Sequence, residues 1–219
     1  MGDFLSMKLE KILLNPEETL VMAVDMENDF LKAHPGFSFH DAGTDLRAMQ
    51  WKVIDGIIPL LMRSSSAKAH MVFIKSQYES GTFPTPYDKL CSGTPSTDFY
   101  LIGDIFPHAN VFTKNKHDPF SNERLRAYIA EMRLNKIVTA GFTVTNCINS
   151  AVHSAIEIPG MEIIIPEDCV GYRPERAADA RRILDSYAEK NARRIIVTDS
   201  QRNIEYVKCG EQDSNLRRH

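Results

Sequence analysis

Lys136-Ile137-Val138-Thr139-Ala140-Gly141-Phe142-Thr143-Val144-Thr145-Asn146-Cys147 is the stretch on which the fold turns. Its first five residues are mostly apolar and do not alternate with polar ones, which reads as a strand buried on both faces, the habit of a parallel sheet. Gly141 ends the run. A helical pattern follows over Thr145–Glu157, with Ile148, Val152, Ala155 and Ile156 on one side, and it stops at Pro159-Gly160. Strand, turn and helix make half of a βαβ unit. Five more short apolar runs occur, at Leu20–Val24, His70–Ile74, Asn110–Thr113, Met161–Ile165 and Arg194–Val197.

Helical patterns separate these runs. Leu46, Met49, Val53, Ile54, Ile57, Ile58 and Leu61 form one apolar stripe, in which Pro59 is expected to kink or restart the helix. Asn122–Met132 opens after Ser121, a good N-cap residue, with the stripe Leu125, Ile129 and Met132. Pro174–Lys190 starts with proline at a first helical position and carries Ala177, Ala180, Ile183, Leu184 and Tyr187. Strands alternating with helices at this spacing imply right-handed crossovers and a doubly wound α/β fold, a three-layer α/β/α arrangement around a six-stranded parallel sheet. The chain from Gln77 to Pro107 is rich in Gly, Pro, Ser and Thr and reads as a long irregular connection, a lid, a site wall or a subunit contact.

The chain has 219 residues, 26 Lys and Arg against 29 Asp and Glu, 43% hydrophobic residues and four cysteines. That composition suits one globular domain, taken as residues 1–200, followed by a partly disordered C-terminal tail over 201–219 that is polar and frayed from Glu211 to His219. A mildly acidic chain offers no general attraction to nucleic acid or an anionic membrane. No apolar run approaches the ~18 residues that span a bilayer, and the acidic N-terminus lacks the order of a signal peptide. The expectation is a cytoplasmic protein. Cys91, Cys147, Cys169 and Cys209 form no paired motif, so neither zinc knuckle nor redox pair is indicated.

Open parallel sheets bind ligands beyond the carboxyl ends of their strands, where the strand order reverses. The first strand leads into Asp25-Met26-Glu27-Asn28-Asp29-Phe30, the third into Lys114-Asn115-Lys116, and the fourth into the turn that carries Cys147. Cys147 falls in the first turn of a helix, where the macrodipole favours an anion and is expected to lower a thiol pKa. On position alone it reads equally well as a nucleophile or a small buried hydrophobe. Asp25, Glu27 and Asp29 can each be turn formers, and Lys114 a surface lysine like Lys116. A cysteine, an aspartate and a lysine on one sheet edge nevertheless make a workable nucleophile, base and anion-stabilising cation.

Val21-Met22-Ala23-Val24-Asp25-Met26-Glu27-Asn28-Asp29-Phe30, Val111-Phe112-Thr113-Lys114 with Phe120 beyond it, and Gly141-Phe142-Thr143-Val144-Thr145-Asn146-Cys147 together resemble the isochorismatase-like cysteine hydrolases. That family includes nicotinamidases, N-carbamoylsarcosine amidases and ureidoacrylate amidohydrolases. The resemblance runs over roughly residues 15–200. It implies a sheet in order 3-2-1-4-5-6, a catalytic triad of Asp25, Lys114 and Cys147, and a cis peptide between Phe142 and Thr143. It further implies an oxyanion hole from the N–H groups of Thr143 and Cys147, with Phe30, Tyr78 and Phe120 as pocket walls. Each of these aromatics can equally be plain core.

The activity implied is hydrolysis of a carbon–nitrogen bond in a small amide or ureide, without a cofactor, in a homo-oligomer of two or more chains. Nicotinamidases carry Asp-x-His and a further His after the second strand, binding a metal. This chain has Lys75-Ser76-Gln77-Tyr78-Glu79-Ser80-Gly81 there, so no metal is expected. His34, His40, Asp41, His108 and His117 are irregularly spaced and read as loop or surface residues, and Arg173 as a solvated arginine. Two alternatives stand: vinyl-ether hydrolysis of the isochorismatase type, which needs no thiol, and a non-catalytic binding member of the fold.

Overall fold

The computed structural model describes residues 11–32, 44–79, 94–190 and 194–207. Its centre is a parallel sheet of β2 (Thr19–Val24), β3 (His70–Ser76), β4 (Asn110–Lys114), β5 (Lys136–Phe142), β6 (Glu162–Pro166) and β8 (Ile195–Thr198). The spatial order is β4-β3-β2-β5-β6-β8, so the six runs read from sequence lie in the order 3-2-1-4-5-6. A two-residue strand, β7 (Val170–Gly171), pairs with the end of β5 and brings the sheet to seven strands.

Every residue of β2 is buried, which explains why its sequence does not alternate. Leu20, Met22 and Val24 face one apolar cluster, and Val21 and Ala23 face another. Helices α4 (Glu123–Glu131), α5 (Asn149–Ile156) and α6 (Ala177–Lys190) supply the first cluster through Leu125, Ile129, Val152, Ala155, Ala180 and Leu184. The second is covered chiefly by the long helix α2 (Thr44–Ser66), through Val53, Ile57, Leu60 and Leu61, with the short helices α1 (Asn28–Leu31) and α3 (Ile102–Ile105) adding Leu31 and Ile102.

One local expectation is corrected and another is narrowed. Helix α2 runs through Pro59 without restarting, because three turns of buried apolar side chains outweigh the one backbone bond that proline cannot donate. The cap of α4 is Asn122 rather than Ser121, its side chain accepting from the Arg124 N–H at 2.9 Å, while Ser121 closes the preceding 3₁₀ turn on the Asp118 carbonyl. A short helix α7 (Ser200–Asn203) leads into β9 (Ile204–Tyr206), which pairs in parallel with β1 (Ile12–Leu14). Leu14 and Ile204 are buried, and the Tyr206 and Ser64 hydroxyls meet at 2.8 Å, so this two-stranded sheet is tied to α2. The remainder of the tail, with Cys209, lies outside the described residues, as do Cys91, His34, His40 and Asp41. Among the described residues no helix is long and apolar enough to cross a membrane.

Gly141 is the last but one residue of β5, paired with Val24 on one side and Val170 on the other. Its φ is +113°, and a Cβ there would stand 1.9 Å from the Val24 carbonyl oxygen of the neighbouring strand. Both strain and clash oppose any side chain. Gly141→Ala is therefore expected to destabilise the fold by about 3 kcal/mol or more, read as a fall of at least ~6 °C in Tm by calorimetry; an unchanged Tm would contradict this reading of the turn.

Candidate active site

The site lies at the carboxyl ends of β2 and β5, adjacent strands whose following helices pack on opposite faces of the sheet. This is the crevice where strand order reverses. Asp25 is the first residue after β2. It adopts a left-handed backbone with φ of 53°, a conformation that aspartate tolerates better than most residues. The alternation of β2 is broken there, and the Asp25 carboxylate comes to the side that Ser76 and Lys114 occupy.

Register places those two residues. Val24 pairs with Ile74, and Ser76 pairs with Lys114 across β3 and β4. The Lys114 ammonium is fully buried, which is tolerable only if each of its protons meets an acceptor. Three partners stand around it: Asp25 Oδ2 at 3.0 Å, Ser76 Oγ at 2.7 Å and Cys147 Sγ at 3.4 Å. Ser76 Oγ in turn donates to Asp25 Oδ1 at 2.8 Å. Burial pulls the ammonium pKa down, but Asp25, then Cys147 and Tyr78, outweigh it and hold Lys114 charged. It is Lys114, and not the exposed Lys116, that reaches Asp25.

Cys147 sits in a wide turn, Val144–Ile148, in which the Ile148 N–H reaches back to the Thr143 carbonyl at 3.1 Å. Such π-type turns re-aim one side chain out of helical register, often at functional sites. The bond between Phe142 and Thr143 is cis. The expectation of a depressed thiol is corrected. Burial is the largest influence and pushes the Cys147 pKa up, and the charge of Asp25 and its hydrogen bond with the thiol push it further, against the pull of Lys114. The resting sulfur therefore keeps its proton. A carboxylate, an ammonium and a neutral thiol share one buried cluster.

Three neighbours of this cluster carry little signal in the sequence. Ser76, which bridges Asp25 and Lys114, sits in an apolar strand pattern where its hydroxyl carries no signal. His117, read as a loop histidine, brings Nδ1 to 3.7 Å from Cys147 Sγ. Glu27, read as an ambiguous acid, is fully buried beside Asp25. Its Oε2 accepts the Ser76 N–H at 2.8 Å, and its Oε1 has no hydrogen-bond partner among the described residues. Burial first, then the Asp25 charge, raise the Glu27 carboxyl well above its ordinary value.

Of the three aromatic residues proposed as pocket walls, Tyr78 stands at the cluster, with its ring centroid 6.0 Å from the Lys114 ammonium. Phe120 is buried in the cluster under α4 and α5. Phe30 packs in the cluster under α2, its ring 6.4 Å from that of Phe142. Cys169 is a buried free thiol beside Gly56 and takes no part in the site. Of the long connection, Pro95–Tyr100 lies against the turn after β2: Asn28 donates to the Asp98 carbonyl, and Tyr100 to that of Met26. No group of three or more metal-ligating side chains is formed among the described residues.

Fold and site together define a class: three-layer α/β proteins with a thiol, an ammonium and a carboxylate clustered at the switch crevice. Residues 19–200 match the family model described as Isochorismatase domain, and the chain belongs to the isochorismatase family. No curated protein sequence matches it. Solved structures with the same fold include a cysteine hydrolase from Pseudomonas syringae pv. phaseolicola, 17% identical with a TM-score of 0.71 over 90% of this chain and 95% of that one. A nicotinamidase from Bacillus subtilis is 16% identical with a TM-score of 0.68, covering 83% and 99%. A putative isochorismatase from Burkholderia xenovorans is 11% identical with a TM-score of 0.64, covering 89% and 92%.

Glu27 gives the site a pH signature in stability. A carboxyl whose folded pKa lies above its ordinary value of 4.5 contributes fully below that value, and its contribution is lost as pH rises toward the folded pKa. Glu27→Gln removes that loss. The Tm of the variant minus that of the wild type is expected to grow between pH 5 and 8, by roughly 2–4 °C for each kcal/mol recovered; a difference that stayed flat or shrank would contradict the assignment.

Proposed function

We propose that the chain hydrolyses a carbon–nitrogen bond, an amide or carbamoyl linkage of a small molecule, through a covalent acyl-enzyme on Cys147. The observation that supports this most is the Lys114 ammonium held between Asp25 and Cys147 at 3.0 and 3.4 Å in a fully buried cluster. Ionised Asp25 takes the thiol proton as sulfur attacks the carbonyl. The same proton then passes to the departing nitrogen, which leaves Asp25 ionised again. Lys114 stabilises negative charge wherever it rests, on oxygen or on sulfur, and so lowers the cost of moving the proton between them. The N–H groups of Thr143 and Cys147 are the proposed oxyanion donors.

Vinyl-ether hydrolysis is driven by protonation and gives a buried thiol bonded to a lysine nothing to do. The amide reading uses all three side chains. Ser76 acts through Asp25 and Lys114 by fixing both.

Ammonia release from N-carbamoyl compounds, ureides and primary amides tests the reading. At least one class is expected to turn over, and Cys147→Ala to lose more than ~1,000-fold in kcat/KM on it; a Cys147→Ala enzyme that kept its rate would overturn the covalent route. Ser76→Ala is expected to lower kcat by roughly 10- to 100-fold, the worth of a hydrogen bond to a charged group, with KM little changed. Ser76→Thr should recover most of that loss, and an equal loss in both variants would show that the hydroxyl is not what matters.

A further inference from the structure

We propose that His117 is a second catalytic residue, the general base that activates water to release the acyl group from Cys147. This rests on the covalent reading above and divides the two half-reactions between two bases. Nδ1 of His117 lies 3.7 Å from Cys147 Sγ. An acyl group on that sulfur would therefore present its carbonyl carbon within one water molecule's reach of the imidazole, the distance over which a general base works.

Asp25 is poorly placed for this second step. It is fully buried, its Oδ1 already accepts from Ser76, and its Oδ2 is held by Lys114. It lies on the protein side of the sulfur, whereas the hydrolytic water must arrive from solvent. His117 is on the solvent side, exposed at the end of the β4 loop but not free to wander. The next residue, Asp118, accepts from the Phe120 N–H through Oδ1 and from Ser154 Oγ through Oδ2 at 2.7 Å. Ser154 belongs to α5, the helix that continues from the turn of Cys147. The loop carrying the imidazole is thus tied to the element carrying the thiol.

The charged groups around the ring favour a base. Partial burial of the ring against Cys147, then the Lys114 ammonium, push the His117 pKa below the usual histidine value, against a smaller upward pull from Asp25. Cys147 is neutral at rest, and the Asp118 carboxylate is turned to Ser154 and Phe120. The imidazole is therefore unprotonated near pH 7.

The proton ledger closes. In acylation the thiol proton goes to Asp25 and from there to the leaving nitrogen. In deacylation a water O–H bond breaks, its proton goes to Nδ1, and the new C–O bond forms. The C–S bond then breaks, and the imidazolium returns the proton to the departing sulfur. The thiol is restored, Asp25 is ionised and His117 neutral, and the product is an acid.

Stopped-flow hydrolysis of 4-nitrophenyl acetate separates the half-reactions, since the burst of nitrophenolate reports acylation and the steady phase reports deacylation. His117→Gln is expected to keep the burst and slow the steady phase by roughly 100-fold. Added imidazole should restore the steady phase of His117→Ala, which no structural role of the side chain would predict. The wild-type steady rate should fall with acid as the ring protonates, a limb absent from His117→Gln. An unchanged steady phase, equal losses in both phases, or no response to imidazole would each overturn the assignment. A wild type with no more burst than Cys147→Ala would overturn the covalent reading beneath it as well.

Discussion

Everything at this site depends on an ammonium that has been taken out of water. Moving a lysine head group into a protein interior costs several kcal/mol unless charge and hydrogen bonds replace its hydration. Here the replacement is an ion pair with the Asp25 carboxylate and hydrogen bonds to the Ser76 hydroxyl and the Cys147 sulfur. Losing a partner would leave a buried charge uncompensated. Asp25, Ser76 and Cys147 are therefore fixed with respect to one another by Lys114 before any substrate arrives, and this preorganisation is what a covalent mechanism requires of its parts.

The sheet makes the arrangement reachable. Lys114 enters from β4, two strands away from β2, and pairing Ser76 with Lys114 places a hydroxyl between the lysine and Asp25. Gly141 allows β5 to turn tightly against Val24, which brings the Cys147 turn to the same edge. Left-handed backbone at Asp25 then directs the carboxylate toward the lysine rather than along the strand's own alternation. Register, a glycine and one unusual φ do the positioning, and the side chains supply the chemistry.

The strands and helices could be read from sequence because their cause is local. A run such as Leu20–Val24, buried on both faces, has a composition that few other settings produce. Cys147 is visible because it follows such a run, and Lys114 because it closes a short strand pattern, although that strand, β4, is a largely exposed edge strand. Ser76 and His117 are not, since a serine at a strand end or a histidine in a loop has no distinctive neighbourhood until the strands are paired. The thiol's protonation is not legible in sequence for a related reason: position in a first turn is a sequence property, whereas burial beside Asp25 is a three-dimensional one and outweighs it. Strands β1 and β9, three residues each and almost 200 residues apart, are too short for any periodicity to betray.

In the proposed mechanism the buried sulfur becomes the acyl carrier. Acid-quenching the enzyme during turnover of a slow amide or ester, followed by peptide-level mass spectrometry, tests it most directly. The acyl mass is expected on the peptide that contains Cys147. Turnover with Cys147 unmodified, or the adduct on another residue such as Cys169, would contradict it.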